Sequence, residues 1–589
     1  MNICSRTLVT AVTLAILSIT VAGQTVTSVE FHGASHFSAQ ELRGRLAPGT
    51  SVPLSSVTAA LPSLLDLYHD DGFYSAAIDS QTVTFSGDSS HAVLDLFISE
   101  GPQTLVDSIM ITGTHALSVP ELRRRMETTV GEPLSSAVLE ADITAMLQWC
   151  AHRGHPFAAV KSDSIRLLPD DPTKLIVHLV VDEGAPVTVH EVRTEGLTTT
   201  TPSVVAREAR IVRDELFDQE RMERIRRRLE RLQLFSSVSD PQLVLLPGEE
   251  KDTVRAALLL SVKEGNTTTF DGVLGYLPPP IPGGAGTLTG NVLVSMRNLF
   301  GTGRRALLRW QRENARTQEL ELQYREPWVG GIPLTLGAAF FQRKQDSSFV
   351  KTRGDGSAEL FLSDEFSLSG TIQSESVVPS ADLQQFSVFA STTLLFGGEL
   401  LYDTRDDPRN STSGVRYSTT VRQGTKRITG PEQFLSLATE RNSSLRRLTL
   451  DAESYVHPWN RHVVLLAVHG RQVTSSRLEV SDLFPLGGAN SLRGYRENQF
   501  FASQFAYITA EYRFLTGRAS SFFGFFDGGT MFRPSDATHN IPSQSLSLYG
   551  YGVGARIETG LGIMNVTFAL GKGDGFSNGK IHVGIQNEF

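Results

Sequence analysis

The chain has 589 residues, 20% of them charged and 40% hydrophobic, with a formal net charge of -9; its mean hydropathy is -0.10. That length calls for more than one domain. The balance excludes a bundle of transmembrane helices, each of which needs about 20 consecutive apolar residues, and the acidic charge gives no reason to expect nucleic-acid binding.

The one long apolar stretch comes first. Arg6 precedes residues 8–21, and the small residues Ala22 and Gly23 follow before Gln24. Residues 1–23 are therefore expected to be a secretory signal peptide. The stretch is short and broken by Thr10, Thr13, Ser18 and Thr20, which argues against a membrane anchor. Cys4 lies inside it, so Cys150 is alone in the mature chain and no intramolecular disulfide is expected. Cys150 reads as a small buried hydrophobe on a helix.

Residues 24–265 contain an internal repeat. Three apolar strands end in Ser99-Glu100-Gly101, Asp182-Glu183-Gly184 and Lys263-Glu264-Gly265, recurring about every 80 residues. Each copy opens with a strand and a turn glycine: Gly33, Gly113 or Gly196. Two helical stretches follow, the first of them at 39–46 or 119–126, then a glycine-aromatic break and two strands. The break is Gly72-Phe73-Tyr74 in the first copy and Gly154-His155-Pro156-Phe157 in the second; the third has Leu234-Phe235 and no glycine. A tandem β-α-α-β-β unit of this length resembles the POTRA domain, with copies expected at 24–101, 102–184 and 185–265. Such a unit offers an edge strand to which an extended peptide can add. In the third copy Met222, Ile225, Leu229 and Leu232 have helical spacing and are expected to face the sheet. Arg224, Arg226, Arg227, Arg228 and Arg231 then form the solvated face.

After Gly265 the texture changes to segments of about ten residues with partial alternation, separated by turn residues. Sixteen strands are expected in 266–589, about 20 residues for each strand and its connection, which suits strands tilted across a bilayer. Short connections at 298–303, 326–331, 458–461 and 515–519 alternate with long ones at 277–286, 426–444, 475–504 and 533–547. Short periplasmic turns and longer outer loops mark an antiparallel transmembrane β-barrel. Ala506, Ile508, Ala510, Tyr512 and Phe514 make an apolar row suited to lipid, whereas Tyr507, Thr509, Glu511 and Arg513 make a polar row suited to the lumen. The chain finishes on Ile581, Val583, Ile585 and Phe589 in one parity. A last strand ending on an aromatic is expected where it must close a cylinder in lipid.

The connection between strands eleven and twelve carries Pro485-Leu486-Gly487-Gly488-Ala489-Asn490-Ser491-Leu492-Arg493-Gly494-Tyr495. Its company is Asn298-Leu299-Phe300-Gly301-Thr302-Gly303, Tyr324-Arg325-Glu326-Pro327-Trp328, Asp403-Thr404-Arg405-Asp406-Asp407-Pro408 and Thr412-Ser413-Gly414. Together they resemble the BamA/TamA superfamily of outer-membrane assembly and translocation factors over residues 24–589, and with three repeats the TamA branch. The resemblance implies that Leu492, Arg493, Gly494 and Tyr495 fold back into the lumen, where Glu511 and Asp527 are the acidic partners. A guanidinium there is costly unless paired. Parity places Glu511 on the lumen row, but Asp527 shares its face with Phe523 and Phe525, which leaves its direction open. Gly494 permits a positive φ or a close approach, and Tyr495 supplies a rigid contact.

The resemblance also implies a function. Unfolded β-rich outer-membrane or secreted clients would be received on the repeats. They would be inserted at a seam between the first strand (267–276) and the last (581–589), where Gly272, Gly275 and Gly584 weaken packing and Phe589 ends the chain. Periplasmic chaperones, accessory or inner-membrane assembly proteins and outer-membrane lipid are the implied partners. The implied location is the bacterial outer membrane, with the repeats in the periplasm. A two-partner-type secretion pore for a large exoprotein, or a lipid-transfer component, stands as the alternative. Histidines are scattered, with no catalytic constellation, metal-ligand cluster or phosphate loop. No enzymatic activity, cofactor or metal is expected.

Overall fold

The computed structural model describes residues 25–46, 52–85, 91–247, 253–277, 287–312, 316–346, 348–380, 388–408, 410–435, 440–489, 491–517, 520–536, 541–559 and 562–586. The expected signal peptide and Phe589 lie outside them. The chain divides into two compact units, one holding the first two repeats and the other most of the third repeat together with the barrel.

In the first repeat, Thr25–His32 runs parallel to His91–Ser99, which pairs antiparallel with Ala77–Phe85. Helices Ala39–Leu46 and Leu54–Asp70 bury Leu42, Val57, Leu64 and Tyr68 against Leu94 and Leu96. The second repeat repeats the plan. Leu105–Thr112 runs parallel to Asp171–Asp182, and Ala159–Leu168 completes the sheet. Cys150 is buried on helix Ser136–His152 beside Met146 and Trp149. Each fully buried aliphatic side chain contributes about 1.5–3 kcal/mol of transfer free energy. The preceding helix, Val119–Arg123, is shorter than the spacing predicts. Buried Asp142 accepts the N–H groups of Glu127 and Thr128 and so draws the chain out of the helix.

Two repeated residues explain the repeated turn. Gly33, Gly113 and Gly196 have φ of 85°, 86° and 83°. A Cβ on them would lie 2.2, 2.4 and 1.9 Å from the carbonyl oxygens of Ile98, Val181 and Val262. Only glycine meets both conditions. The glutamate of each strand-ending tripeptide then holds the chain that follows its turn glycine. Glu100 accepts from the Ser35 and His36 N–H groups, Glu183 from those of His115, Ala116 and Leu117, and Glu264 from those of Thr199 and Thr200. Burial pushes the Glu264 carboxyl up. Hydrogen bonds from Thr198, Thr200 and Thr199 outweigh it and hold the group at about 2. Glu183 and Glu100 are lowered by the same balance.

In the third repeat, Phe235–Val238 and Gln242–Leu245 pair with Val254–Glu264. Its break lacks glycine, and Gln233 takes a left-handed φ of 58° there, as Gly72 and Gly154 do at 86° and 95°. Helix Gln219–Arg231 buries Met222, Ile225 and Leu229, as its period predicts. Its arginine face departs from expectation: of the five arginines assigned to solvent, only Arg227 is exposed. Arg224 and Arg226 pair with Glu220 and Asp240 of the repeat itself, whereas Arg228 and Arg231 are drawn in because a second surface packs there, which a one-helix pattern does not reveal.

The barrel is one antiparallel sheet of sixteen strands in chain order. Strands one to eight are Thr268–Leu277, Thr287–Leu299, Arg304–Arg312, Gln318–Glu326, Leu334–Gln345, Phe349–Phe361, Phe366–Pro379 and Ala390–Asp403. Strands nine to sixteen are Gly414–Gly430, Asn442–Trp459, His462–Ser475, Gln504–Leu515, Ser521–Arg533, Gln544–Thr559, Gly562–Gly571 and Lys580–Gln586. The first and last strands approach within 8 Å. The connection expected at 426–444 is shorter, because pairing continues to Arg427 opposite Asn442. Strand twelve keeps its predicted faces: Tyr507, Glu511 and Arg513 are buried in the lumen, Ala506, Ile508, Tyr512 and Phe514 are exposed, and Thr509 and Ala510 are half-buried. Phe505, which the predicted row did not include, is buried on the lumen side as well.

Candidate functional site

Loop six, the connection 476–503, turns inward. Within it Phe484–Leu486 pairs with Phe500–Ala502, and the segment between carries the predicted motif. Arg493 donates from Nε and Nη2 to the two carboxylate oxygens of Asp527, both at 2.8 Å, and its backbone N–H donates to Asp527 at 3.1 Å. Its Nη1 donates to Glu511 at 2.7 Å. Asp527 is fully buried and also accepts from Thr509 Oγ1 at 2.9 Å. Two parallel N–H···O bonds to one carboxylate fix the orientation of the arginine as well as its charge.

The residues that left Asp527 in doubt prove to be part of the site. Phe525 and Phe523 face the lumen beside it and are buried. The Arg493 guanidinium lies 3.6 Å above the Phe525 ring centroid, and that of Arg556 lies 5.3 Å from Phe523. Arg513 donates to Glu511 at 2.7 Å, its guanidinium 5.4 Å from the Tyr455 ring. Arg556 approaches the same carboxylate at 3.7 Å. Three cations thus share two carboxylates, and the negative faces of aromatic rings take up the remainder. Phe523 and Phe525 left the face of Asp527 open because parity alone does not place such rings in a lumen, but a buried ionic lumen uses rings as well. Arg513 stood on the predicted polar row, and strand alternation through Gly552 and Gly554 would have found Arg556.

Glycine lets the tip reach the wall. Gly494 has φ of 94°, and a Cβ on it would lie 2.7 Å from the Leu570 carbonyl; one on Gly550 would lie 1.9 Å from the Arg493 carbonyl. Tyr495 donates to the Tyr549 carbonyl at 3.1 Å and accepts from the Lys572 N–H at 3.2 Å. Leu492 is buried with Leu486, Phe505 and Leu548. The motif therefore grips strands twelve to fifteen. The seam glycines take no part in these bonds. Gly272 and Gly275 pair with Val292 and Thr289 of strand two, and Gly584 pairs with Asn565 of strand fifteen.

At the other end of the barrel the third repeat meets three consecutive turns. The Thr201 N–H donates to the Gly301 carbonyl and Asn298 Nδ2 to Thr200 Oγ1, both at 2.8 Å. Arg207 Nη2 donates to the Thr302 carbonyl at 2.8 Å, and Trp328 Nε1 to Glu208 at 2.7 Å. Asp364, in the turn between strands six and seven, receives Arg228 at 3.3 Å and Arg210 at 3.5 Å, and its carbonyl accepts from Arg231 at 2.8 Å. This is the second surface that draws in Arg228 and Arg231. A cavity of about 310 Å³ remains between repeat and barrel, lined by Arg207, Arg228, Trp328, Asp364, Asp403 and Arg405 among others. Burial pushes the Glu208 carboxyl up, despite the Trp328 hydrogen bond and the positive charges of Arg207, Arg210 and Arg228.

An Omp85 superfamily domain model matches residues 298–589, and a POTRA model, the surface antigen variable number repeat, matches 104–184 and 187–265. The chain belongs to the Omp85 superfamily. The first copy lies outside those matches but has the same order of strands and helices. This Omp85 chain is 24% identical over 298 residues to the outer membrane protein assembly factor BamA of Neisseria meningitidis, covering 49% of this chain and 35% of that protein. It is 24% identical over 452 residues to BamA of Nitratidesulfovibrio vulgaris, covering 72% of this chain and 52% of that one. The chain thus spans about half or less of the length of these relatives. The crystal structure of BamA from Haemophilus ducreyi lacking POTRA domains 1–3 superposes with a TM-score of 0.52 at 15% identity, covering 82% of this chain and all of that one. The likeness is one of fold. This Omp85 protein belongs to the bacterial outer membrane, with its POTRA repeats in the periplasm.

Proposed function

We propose that this Omp85 chain is an assembly factor that receives unfolded β-rich outer-membrane proteins on its POTRA repeats. It inserts them at the seam between Thr268–Leu277 and Lys580–Gln586. The observation that carries this proposal is where the barrel is fastened. The third repeat holds the turns that join strands two to seven, and the loop-six tip holds strands twelve to fifteen. Strands one and sixteen lie between the two fastened stretches, and the seam is the place that can part without breaking either grip. Glycines at 272, 275 and 584 carry no side chain to pack across it. Arg493, Glu511 and Asp527 act as the structural pivot of the tip. Periplasmic chaperones and accessory or inner-membrane assembly proteins would deliver the client.

Photocrosslinking from single positions in 268–277 of the intact protein in cells tests the proposal. Capture of a nascent barrel protein, with a fall in outer-membrane protein levels on depletion, is the expected result. Capture of a secreted exoprotein alone, or unchanged levels of every barrel protein, overturns it.

A further inference from the structure

Loop six has a second attachment that nothing in the motif announces. Before its tip, the segment 478–484 lies against strands six to ten. Lys426 of strand nine is almost wholly buried, and it donates to Glu479 at 2.8 Å and to Asp482 at 2.6 Å. Glu479 also accepts from the Phe389 N–H at 2.9 Å, and the Ser481 carbonyl accepts from Lys351 at 2.8 Å. Lys351 and Arg447 pair in turn with Glu375, at 3.0 and 3.1 Å. These six groups are three cations and three anions, so the set is neutral only with Glu479 and Asp482 in place. Apolar contacts follow the same line: Val480 packs with Phe349, Val377 and Val388, and Leu478 and Phe484 pack with Leu395, Leu445 and Val473.

We propose that Lys426, with Glu479 and Asp482, is a positioning site for loop six. It is a second anchor that straps the loop across the lumen from strands six to ten to the Arg493 grip on strands twelve to fifteen. The physical reason is the cost of parting a buried pair. Lifting 478–484 off the wall leaves Lys426 buried without its carboxylates, so the loop stays down. The strap fixes where the tip sits, and it closes the lumen on the side away from the third repeat. Passage through the lumen then requires this anchor to open.

The test uses the full-length protein with Cys4 and Cys150 replaced by serine and Ser481→Cys as a reporter. Ser481 is buried, at 4% exposure. Lys426→Met strands two carboxylates and can fail to fold. The main variant is therefore the triple K426M/E479Q/D482N, which removes the anchor's cation together with both of its carboxylates and leaves Lys351 and Arg447 on Glu375, with heat-modifiable gel mobility confirming a folded barrel. Expected are a rise of about tenfold in labelling of the Ser481→Cys thiol by a bulky maleimide, as local opening replaces protection, and higher ion conductance in planar bilayers. A disulfide between Val388→Cys and Val480→Cys, made in the triple variant without the reporter, should return conductance to the parental level. A folded triple variant with unchanged labelling and conductance overturns the proposal, and so does a raised conductance that the disulfide leaves in place. Neither readout uses a client, so its outcome is separate from that of the assembly proposal.

Discussion

Glu183 and Asp527 each fasten a loop, one in a periplasmic repeat and one in the barrel lumen. Glu183 accepts three backbone N–H groups from residues 115–117, which lie just beyond a turn glycine of its own repeat. Asp527 is fully buried and takes a guanidinium that arrives on a loop from another strand pair. The first arrangement needs only local chain geometry, so each repeat builds it alone. The second needs a partner for every charge, so Thr509, Phe525, Glu511, Arg513 and Arg556 are all enlisted. Removing one hydrogen bond of the first kind is a local loss. Removing one member of the second leaves the others uncompensated.

Arg493→Ala tests that contrast most severely. It leaves Asp527 without its cation and should cost on the order of 3–5 kcal/mol, seen as new protease cleavage within 476–503. Adding Asp527→Asn should recover part of the loss, and a double-mutant cycle measures the coupling. Gly113→Ala should come next. Its φ of 86° and the Val181 oxygen 2.4 Å from the new Cβ predict destabilisation of about 1–3 kcal/mol, read in the denaturant midpoint reported by Trp149 fluorescence. Asp364→Asn should cost about 1–3 kcal/mol by stranding Arg228 and Arg210, seen as faster amide exchange across Gln219–Arg231. Arg227→Ala, on the exposed side of the same helix, should change stability by less than about 0.5 kcal/mol.

The repeat side of the comparison also carries a pH dependence. The Glu264 carboxyl is lowered from 4.5 to about 2 on folding. Its stabilising contribution is therefore complete above the unfolded value and is lost as pH falls through that interval. Amide protection at Thr199 and Thr200 should decline over the same range, and Glu264→Gln should abolish that decline. Protection unchanged in both would show that the carboxylate does not hold the turn.

Much of the fold was legible because its signals are short-range. The recurring Glu-Gly tripeptides and turn glycines gave the repeats, and period-two alternation gave the strands and the lumen side of Glu511. Asp527 was harder, since Phe523 and Phe525 on its face looked like a lipid row. Their rings are buried beneath arginines, a use of aromatics that alternation alone does not distinguish. The Arg228 and Arg231 contacts with Asp364 had no signal, because helical spacing reports a helix's inner face and says nothing of a second surface.

The sequence by itself determined the local rules: where φ must be positive, which residues alternate, where strands stop, and which carboxylate can cap its own repeat. Only the tertiary structure decided which distant charges meet. Arg493 with Asp527, Lys426 with Glu479 and Asp482, and Arg228 with Asp364 become partners when sixteen strands form a barrel and the third repeat docks beneath it. The physical reason is that buried charges choose partners by proximity in a low-dielectric space, and that proximity is set by barrel register rather than by spacing along the chain.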